Sequence, residues 1–409
     1  MSVRWSSALI LLALCSGLAQ PAARAAQGTG ATLALVGGRL YAEPNAVPVD
    51  DAVVIVAQGK ITASGPRATV PVPDGAATID CKGLVITAGF YNSHVHFTDT
   101  TRWADAAGQP HAKLSTMLGE MLTRYGFTTV VDTASDLDNT SALRRRIASG
   151  AVQGPRILTA GAALYPPNGV PYYVRDEIPA EVANQLPQPA TPEAARAIVR
   201  RQIDAGADIV KLFAGSWVAR GKVLPMPQAI ADAAVEEAHQ RGKVVFAHPS
   251  NLAGLEVALR AGVDVLAHSV EDTRGMTDEH YARMRAQNMG MVPTLTLFRG
   301  RWLWDVLDEV RVYARGGGAI LFGTDVGYLP NFDHASEYEA MAAAGLGWRE
   351  ILASLTVTPA KRFREEARRG TIASGMDADL VVLGADPSAS VRAFADVRYT
   401  IRAGAVFER

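Results

Sequence analysis

The 409-residue sequence is short of cysteine, because it holds only Cys15 and Cys81. Cys15 falls in an N-terminal segment that we expect to be removed, which leaves Cys81 as a single thiol. An intramolecular disulfide and a cysteine-rich zinc site are thereby excluded. A metal in this protein must be held by histidine, carboxylate and other oxygen ligands.

The chain also lacks an excess of charge of either sign and a long apolar run. Its 40 basic and 41 acidic residues give a net charge of −1, so there is no electrostatic footprint for nucleic acid or an anionic membrane. The apolar run at residues 8–19 is shorter than the ~20 residues that a membrane span needs. The 48% of hydrophobic residues is typical of a globular protein, and the length suits one large barrel or two to three domains.

The first residues have the pattern of a secretory leader. A basic start, a short apolar run and the small-residue site Ala23-Arg24-Ala25 predict a signal peptide at residues 1–25, cleaved before Ala26. Cleavage removes two arginines and no acid, and so changes the net charge from −1 to −3. A lipoprotein attached at Cys15 is disfavoured, because Leu14 stands where a small residue is expected. An uncleaved anchor helix is the other alternative.

Short apolar runs alternate with stretches of helical spacing through the middle of the chain. Besides the run that precedes His94, they are Phe127–Asp132, Arg156–Ala160, Ile209–Phe213, Val244–Ala247, Val263–Ala267, Met291–Leu295 and Ala319–Gly323. Eight strands alternating with helices predict an α/β fold with parallel pairing, a (β/α)8 TIM barrel. An open doubly wound sheet is the alternative, disfavoured because no Gly-rich phosphate turn follows the first strand.

Both ends of the mature chain show short strand-like runs without a helical period. We therefore predict that residues 26–84 and 369–409 pack together as one small β-sandwich. Residues 85–368 would form the barrel between them.

Six polar residues lie in or just after the apolar runs: His94, His96, Lys211, His248, His268 and Asp325. The carboxyl ends of barrel strands face one basin, so these side chains are expected to converge. Imidazole and carboxylate suit zinc, and a catalytic zinc site keeps a position for water. Asp325 could then bind metal and act as the general base that takes a proton from that water.

Lys211 lies in a run that is apolar on both faces, Ile209–Phe213. A buried ammonium is costly, or its pKa falls. One interpretation is an ion pair with Asp208 or Asp325. The other is a neutral amine that has been chemically converted into a metal ligand.

The predicted loops at the carboxyl ends of the strands hold candidate substrate-binding residues. These are Tyr165 and Tyr173 after the third strand, Arg220 after the fourth, Arg299 after the seventh and His334 after the eighth. Aromatic side chains can line an apolar pocket, and arginine can hold a carboxylate. Ordinary loop packing is the alternative for each of them. His111, His239 and His280 are expected to have structural or solvated roles.

Several motifs occur together in one order along the chain. They are His94-Val-His96, Gly206-Ala-Asp-Ile-Val-Lys211, Val235–Gly242 with Ala247-His248, Ala261–His268, Val292-Pro-Thr-Leu295, Gly323-Thr-Asp325 and Gly375–Leu383. As an ordered set they resemble the amidohydrolase superfamily, from about Leu33 to the C-terminus. The most similar group is the imidazolonepropionase-like and Xaa-Pro dipeptidase-like (prolidase) arm. Ala88, Pro249 and Ala267 depart from the usual residues of these motifs without removing a ligand.

The resemblance implies a ligand set and a cofactor. Members with a lysine in the fourth strand carry it carbamylated, as a bridge between two metals. By resemblance, His94, His96 and Asp325 would hold one zinc, His248 and His268 the other, with Lys211 between them. The implied function is a secreted hydrolase of amide-type C–N bonds in an acyl-amino acid, an Xaa-Pro-like dipeptide or a cyclic amide.

Two alternatives to this function remain open at the level of sequence. One is a mononuclear enzyme similar to imidazolonepropionase or a deaminase. The other is a non-catalytic barrel used for binding, although such a protein has no need of six buried polar groups. The expected partner is a small molecule, with no nucleic acid, and a homo-oligomer is left open.

Export is a direct consequence of the predicted leader. We expect the mature protein to begin at Ala26 and to lie in the periplasm or outside the cell. Mass spectrometry of protein from the native host checks this. A cytosolic chain that keeps Met1 would contradict the prediction.

Overall fold

The computed structural model describes residues 32–298, 300–330 and 332–408. The predicted signal peptide lies outside the described residues, and so does Arg299. The described chain has a mixed α/β fold, as the alternating pattern predicted. None of the helices within these ranges is long and apolar enough to cross a membrane.

The strands and helices of the described residues are numbered here in chain order. The strands are β1 (Leu33–Leu40), β2 (Val49–Ala57), β3 (Lys60–Pro66), β4 (Ala77–Asp80), β5 (Val85–Ala88), β6 (Phe90–Val95), β7 (Phe127–Asp132), β8 (Arg156–Thr159), β9 (Ile209–Phe213), β10 (Gly215–Ala219), β11 (Lys222–Pro225), β12 (Val244–His248), β13 (Val265–Ala267), β14 (Gly290–Val292), β15 (Ala319–Ile320), β16 (Leu380–Leu383), β17 (Val397–Arg402) and β18 (Ala405–Glu408). The helices are α1 (Thr100–Trp103), α2 (His111–Met121), α3 (Leu137–Ala148), α4 (Tyr172–Arg175), α5 (Ala180–Ala183), α6 (Pro192–Asp204), α7 (Gln228–Gln240), α8 (Leu252–Ala261), α9 (Asp278–Ala286), α10 (Arg301–Arg315), α11 (Ala335–Ala343), α12 (Trp348–Leu355) and α13 (Val357–Arg362). Short 3-10 turns lie at Thr123–Tyr125, Leu295–Leu297 and Val391–Ala395.

Strands from both ends of the described chain share one mixed sheet. Its order is β18-β17-β16-β5-β1-β2-β3, and β4 pairs with β1. The junction between the two ends is the antiparallel pair β16–β5, in which Leu380 faces Ala88 and Val382 faces Ile86. Buried aliphatic side chains of this sheet, such as Leu35, Ile86 and Val382, pack in one cluster. The predicted β-sandwich and the boundaries of the predicted domains remain predictions.

The prediction that the apolar run before His94 forms the first strand of the barrel was wrong. The apolar run before His94 is β5, which pairs with β1 and β16 in the terminal sheet. The strand that carries His94 begins one glycine later, at Phe90. Gly89 separates the two strands where the backbone passes close to β7, since a Cβ there would lie 2.3 Å from Thr128 Oγ1. Both runs are apolar, and periodicity does not reveal which sheet an apolar run joins.

The remaining predicted strands form two parallel sheets in chain order. One has the order β6-β7-β8 and the other β9-β12-β13-β14-β15. Backbone hydrogen bonds connect their edges: Ser93 N donates to Phe322 O at 2.7 Å, and Asp208 N donates to Thr159 O at 2.8 Å. The carboxyl ends of these strands therefore face the same way, which places their terminal polar residues together.

Local sequence signals mark the ends of two of the helices between these strands. Thr191 accepts a hydrogen bond from Ala194 N and precedes Pro192 at the start of α6. Gly262 ends α8 in the left-handed conformation, with φ of 77°. Apolar faces such as Val199 of α6 and Leu255 of α8 are fully buried. The helices thus cover one side of the parallel strands and leave the strand ends free to carry a site.

Candidate metal-binding active site

His94, His96 and Asp325 converge at the carboxyl ends of β6 and the segment after β15. The Nε2 atoms of the two histidines lie 3.2 Å apart. Asp325 Oδ1 lies 3.3 Å from His94 Nε2 and 3.0 Å from His96 Nε2. His94 and Asp325 are buried and His96 is half-buried, and ligand atoms of all three lie within 4.8 Å of one another. Such a group could bind a metal ion.

Backbone contacts hold these ligands in place. Asp325 N donates to His94 O at 2.9 Å, and His96 N donates to Val326 O at 2.9 Å. This close approach requires glycine nearby, because a Cβ at Gly327 would lie 1.9 Å from His96 O. Asp325 itself has a left-handed φ of 58°. These contacts hold the backbone that carries Asp325 beside the backbone of the two histidines.

In His96 and His268, the Nδ1 atom is hydrogen-bonded to the protein, which leaves Nε2 available to bind a metal. His96 Nδ1 lies 2.8 Å from Ala134 O, so Nδ1 donates and Nε2 keeps its lone pair. His268 Nδ1 lies 2.7 Å from Thr294 Oγ1, whose own proton goes to Pro293 O. Nδ1 of His268 is therefore also the donor. This tautomer suits metal binding through Nε2.

His248 and His268 lie beside the first group. The ring centroids of His94 and His268 are 4.4 Å apart, and those of His248 and His268 are 4.7 Å apart. Both residues are almost fully buried, and His268 has a strained φ of 118°. The structure thus brings the four predicted histidines and Asp325 into one cluster.

Lys211 projects from β9 into the same region and is 2% exposed. Burial lowers the pKa of its amine to about 7, although the charge of Asp325 acts in the opposite direction. Asp208 pairs instead with Arg144 at 3.0 Å and accepts from Thr159 N. No carboxylate of the described residues lies within ion-pair distance of the Lys211 amine. The geometry therefore does not provide the ion pair with Asp208 or Asp325 that was one interpretation of the sequence.

The polar atoms of the cluster fit a divalent metal. Among the described residues, both ring nitrogens of His248 and Asp325 Oδ1 are buried without a hydrogen-bond partner. Burial lowers the pKa of His94 and of His268 well below the usual range, so both rings are neutral. Burial also acts to lower the pKa of His96, but the nearby Asp325 carboxylate outweighs this and raises it. Neutral imidazoles and a carboxylate are the donors that zinc prefers.

The predicted substrate-binding residues lie in different places. Tyr165 stacks on Phe213 with ring centroids 4.7 Å apart, and Phe213 stacks on His248. Tyr173 is close enough to the cluster for the charge of Asp325 to contribute to its raised pKa, after burial and other neighbours. The Arg220 guanidinium lies 5.8 Å from the centre of the Tyr172 ring.

His334 lies apart from the cluster in its described contacts. Its Nε2 is 3.2 Å from Met121 O, and its ring packs against Tyr125 and Phe127. None of these contacts involves a predicted ligand, and they fit a packing role. His239 pairs with Asp264, and His280 belongs to the N-terminal cap of α9.

The prediction missed two carboxylates near the cluster. Asp132 ends β7 and accepts hydrogen bonds from Thr159 Oγ1 at 2.7 Å and Ser135 Oγ at 2.6 Å. Glu271 follows β13, and its Oε1 lies 3.2 Å from His248 Nε2. Their positions in the sequence could have revealed them, because Asp132 is the last residue of a predicted strand and Glu271 stands three residues after His268.

The Amidohydrolase family matches residues 85–406. The match covers most of the chain, so the protein belongs to the amidohydrolase family. The resemblance inferred from the ordered motifs is thereby confirmed.

Two solved structures are similar over most of the chain. A presumed prolidase of Bifidobacterium longum is 25% identical, with a TM-score of 0.76 and 93% of this chain and 95% of that chain covered. A Xaa-Pro dipeptidase with methionine bound in its active site is 22% identical, with a TM-score of 0.78 and coverage of 93% and 100%. The first agrees with the prolidase-like arm named from the sequence motifs, and the second shows the fold alone.

A sequence relative is an uncharacterised protein of Mycobacterium tuberculosis strain H37Rv. It is 28% identical over 262 residues, which are 57% of this chain and 64% of the relative. The match therefore spans less than two thirds of the length of that relative.

A buried carboxyl supports the loop between His268 and Glu271. Glu309 of α10 is 1% exposed, and its Oε2 accepts from Val270 N at 2.9 Å. Burial raises the pKa of Glu309 to about 8, although the bond from Val270 N acts to lower it. Between pH 4.5 and about pH 8, the Glu309 carboxyl is ionised in the unfolded chain but stays protonated in the folded protein. Folding stability therefore falls as the pH rises through that window.

We expect Glu309→Gln to remove this loss of stability, because the amide keeps an acceptor for Val270 N and cannot ionise. The melting temperature of the variant relative to wild type should rise by several degrees from pH 5 to pH 9, because about 1 kcal/mol shifts the melting temperature of a chain of this length by ~1–2 °C. Asp305→Asn, an exposed change on the same helix, is the control and should show no such trend. Equal pH dependence in wild type and Glu309→Gln would contradict the prediction.

Proposed function

We propose that this protein is a metal-dependent hydrolase that cleaves an amide-type C–N bond in a small substrate. The observation that carries the proposal is the convergence of His94, His96 and Asp325 at 3.0–3.3 Å in a member of the amidohydrolase family. The substrate classes that we consider are acyl-amino acids, Xaa-Pro-like dipeptides and cyclic amides. On the basis of the leader alone, we also propose that the enzyme acts outside the cytoplasm.

The proposed chemistry assigns separate tasks to the residues of the cluster. A divalent metal, when bound, supplies electrophilic activation of water and of the substrate carbonyl. His94 and His96 would hold it through Nε2, and the Ala134 carbonyl keeps His96 in the required tautomer. Asp325 Oδ1, which has no hydrogen-bond donor of its own, accepts a proton from the attacking water and later delivers it to the leaving nitrogen.

We further propose that the eight parallel strands close into one (β/α)8 barrel, with the terminal strands forming a β-sandwich. The hydrogen bonds from Ser93 to Phe322 and from Asp208 to Thr159 support closure, because they connect both edges of the two parallel sheets. A closed barrel surrounds the cluster with strand ends and limits the access of water. This shelter strengthens the electrostatic interactions on which the proposed chemistry depends.

A second metal is proposed between Lys211, His248 and His268. Since burial brings the pKa of the Lys211 amine to about 7, a large share of it is neutral at neutral pH. A neutral amine can attack CO2, form an N–C bond and release one proton, which leaves a carbamate with two oxygen ligands. Both ring nitrogens of His248 lack a partner, which supports a second ion on that side.

A mononuclear enzyme is the second candidate. It is favoured by one observation: among the described residues, only His94, His96 and Asp325 already have ligand atoms within 4.8 Å of one another. In that case Lys211 remains a neutral amine and contributes no ligand.

Metal counting distinguishes the two candidates. We expect two equivalents of zinc in the wild type and a loss of one or both in Lys211→Ala, because the bridging oxygens are gone. Lys222→Ala removes an exposed lysine of β11 and is the matched control, which should keep two equivalents. One equivalent in both wild type and Lys211→Ala would rule out the bridge.

Turnover of a substrate panel tests the function itself. Zinc-loaded wild type should hydrolyse at least one of acyl-amino acids, dipeptides that end in proline, and lactams. Asp325→Asn should lower turnover on that substrate by about 10²–10⁴-fold, since the proton acceptor is lost. Substrate binding should change far less.

Two results would contradict this proposal. No hydrolysis of any class by the metal-loaded wild type would argue against an amide hydrolase. Near-normal turnover by Asp325→Asn with metal still bound would show that another group takes the proton.

A further inference from the structure

Glu271 is a carboxylate beside the cluster that the proposed chemistry does not use. Its side chain is 19% exposed, and Oε1 lies 3.2 Å from His248 Nε2 without forming a hydrogen bond. Its Oε2 accepts a hydrogen bond from the indole N–H of Trp217. Within the described residues, its ion-pair contact is His248, and no arginine or lysine lies within 4 Å of it. Glu271 Oε1 therefore faces the site and can still accept a hydrogen bond from a ligand.

Two tyrosines lie near both Glu271 and Asp325. Burial, followed by the charge of Glu271, raises the pKa of the Tyr173 hydroxyl well above its usual range, and Asp325 contributes. Burial raises the pKa of Tyr328 to about 12, with contributions from Glu177, Asp325 and Glu271. Both hydroxyls therefore lie within electrostatic reach of both site carboxylates.

The rings themselves form two pairs. The ring centroids of Tyr173 and Tyr328 are 6.1 Å apart, and those of Trp217 and Trp302 are 6.5 Å apart. Aromatic faces attract cations through their quadrupole, and a desolvated carboxylate does so more strongly. A carboxylate set among such rings is complementary to an ammonium group and repels an anion.

We propose that Glu271 receives the free α-ammonium group of a dipeptide substrate, so that the site selects free dipeptides over dipeptides whose N-terminus is acylated. The inference rests on the proposed amide hydrolysis and narrows its substrate class. In a dipeptide the α-amine is attached to the carbon next to the scissile carbonyl. Its receptor must therefore lie against the reaction centre, and Glu271 is in direct contact with His248.

The chemistry of the two substrate classes differs at this one group. An α-ammonium carries three N–H donors and a positive charge, and it can donate to Glu271 Oε1 while Trp217 occupies Oε2. An N-acyl group has a single neutral N–H and more bulk. A hydrogen bond between charged groups is worth enough to change kcat/KM by roughly 10–100-fold.

The test compares Ala-Pro with N-acetyl-Ala-Pro on zinc-loaded protein. Wild type should prefer the free dipeptide in kcat/KM, and Glu271→Gln should reduce that preference by roughly 10–100-fold. Glutamine keeps an acceptor for Trp217 but loses the charge. Glu177→Gln removes an exposed carboxylate that also acts on Tyr328, and it should keep the wild-type preference.

Three results would overturn the inference. They are a wild-type preference for the acetylated peptide, an unchanged preference in Glu271→Gln, and a lower zinc content in Glu271→Gln than in wild type. The last result would make Glu271 a metal ligand rather than a receptor for substrate.

A binding measurement separates this inference from the proposed function. Calorimetry on zinc-loaded Asp325→Asn, with and without Glu271→Gln, measures the affinity for the two peptides without turnover. A preference for the free dipeptide that depends on Glu271 supports the inference, even if wild type hydrolyses neither peptide and the proposed function fails. Equal affinity for the two peptides overturns the inference, even if both are hydrolysed.

Discussion

The dominant constraint in this molecule is the burial of four imidazoles, an amine and a carboxylate at one set of strand ends. A buried polar atom without a partner costs about 1–3 kcal/mol, and several such atoms lie together here. The protein partners that do exist, the Ala134 carbonyl and the Thr294 hydroxyl, contact the outward nitrogens of His96 and His268. The inward Nε2 atoms of His94 and His96 lie 3.2 Å apart beside Asp325, and a bound cation would satisfy them together with that carboxylate.

The loops around the cluster are supported by buried carboxyl groups on the surrounding helices. Glu309 accepts from Val270 N, and Glu337 accepts from Leu295 N at 2.7 Å and Thr296 N at 2.8 Å. Burial raises the pKa of both carboxyls, to about 8 and about 7. These bonds satisfy backbone donors that the loops after β13 and β14 cannot satisfy themselves. They also fix the segments that carry Glu271 and Thr294.

The two carboxylates that face the site differ in their surroundings, which separates their proposed tasks. Asp325 lies among imidazoles in the tightly packed junction between β6 and the segment after β15, where it can exchange a proton. Glu271 is partly exposed, accepts a hydrogen bond from Trp217 and lies within electrostatic reach of Tyr173, where its charge can select a substrate. One proposal concerns the reaction and the other the choice of dipeptide, so they are separable by experiment.

The sequence by itself determined the family, most of the parallel strands and the six polar residues in or just after them. Each of these depends on short-range pattern: apolar runs, glycine and proline positions, and ordered motifs. Only the tertiary structure decided that Val85–Ala88 joins the terminal sheet, since an apolar run fits either sheet. It also brought Glu271 within 3.2 Å of His248 from a separate strand end. Such contacts depend on how loops fold over the strand ends, and no local periodicity encodes that.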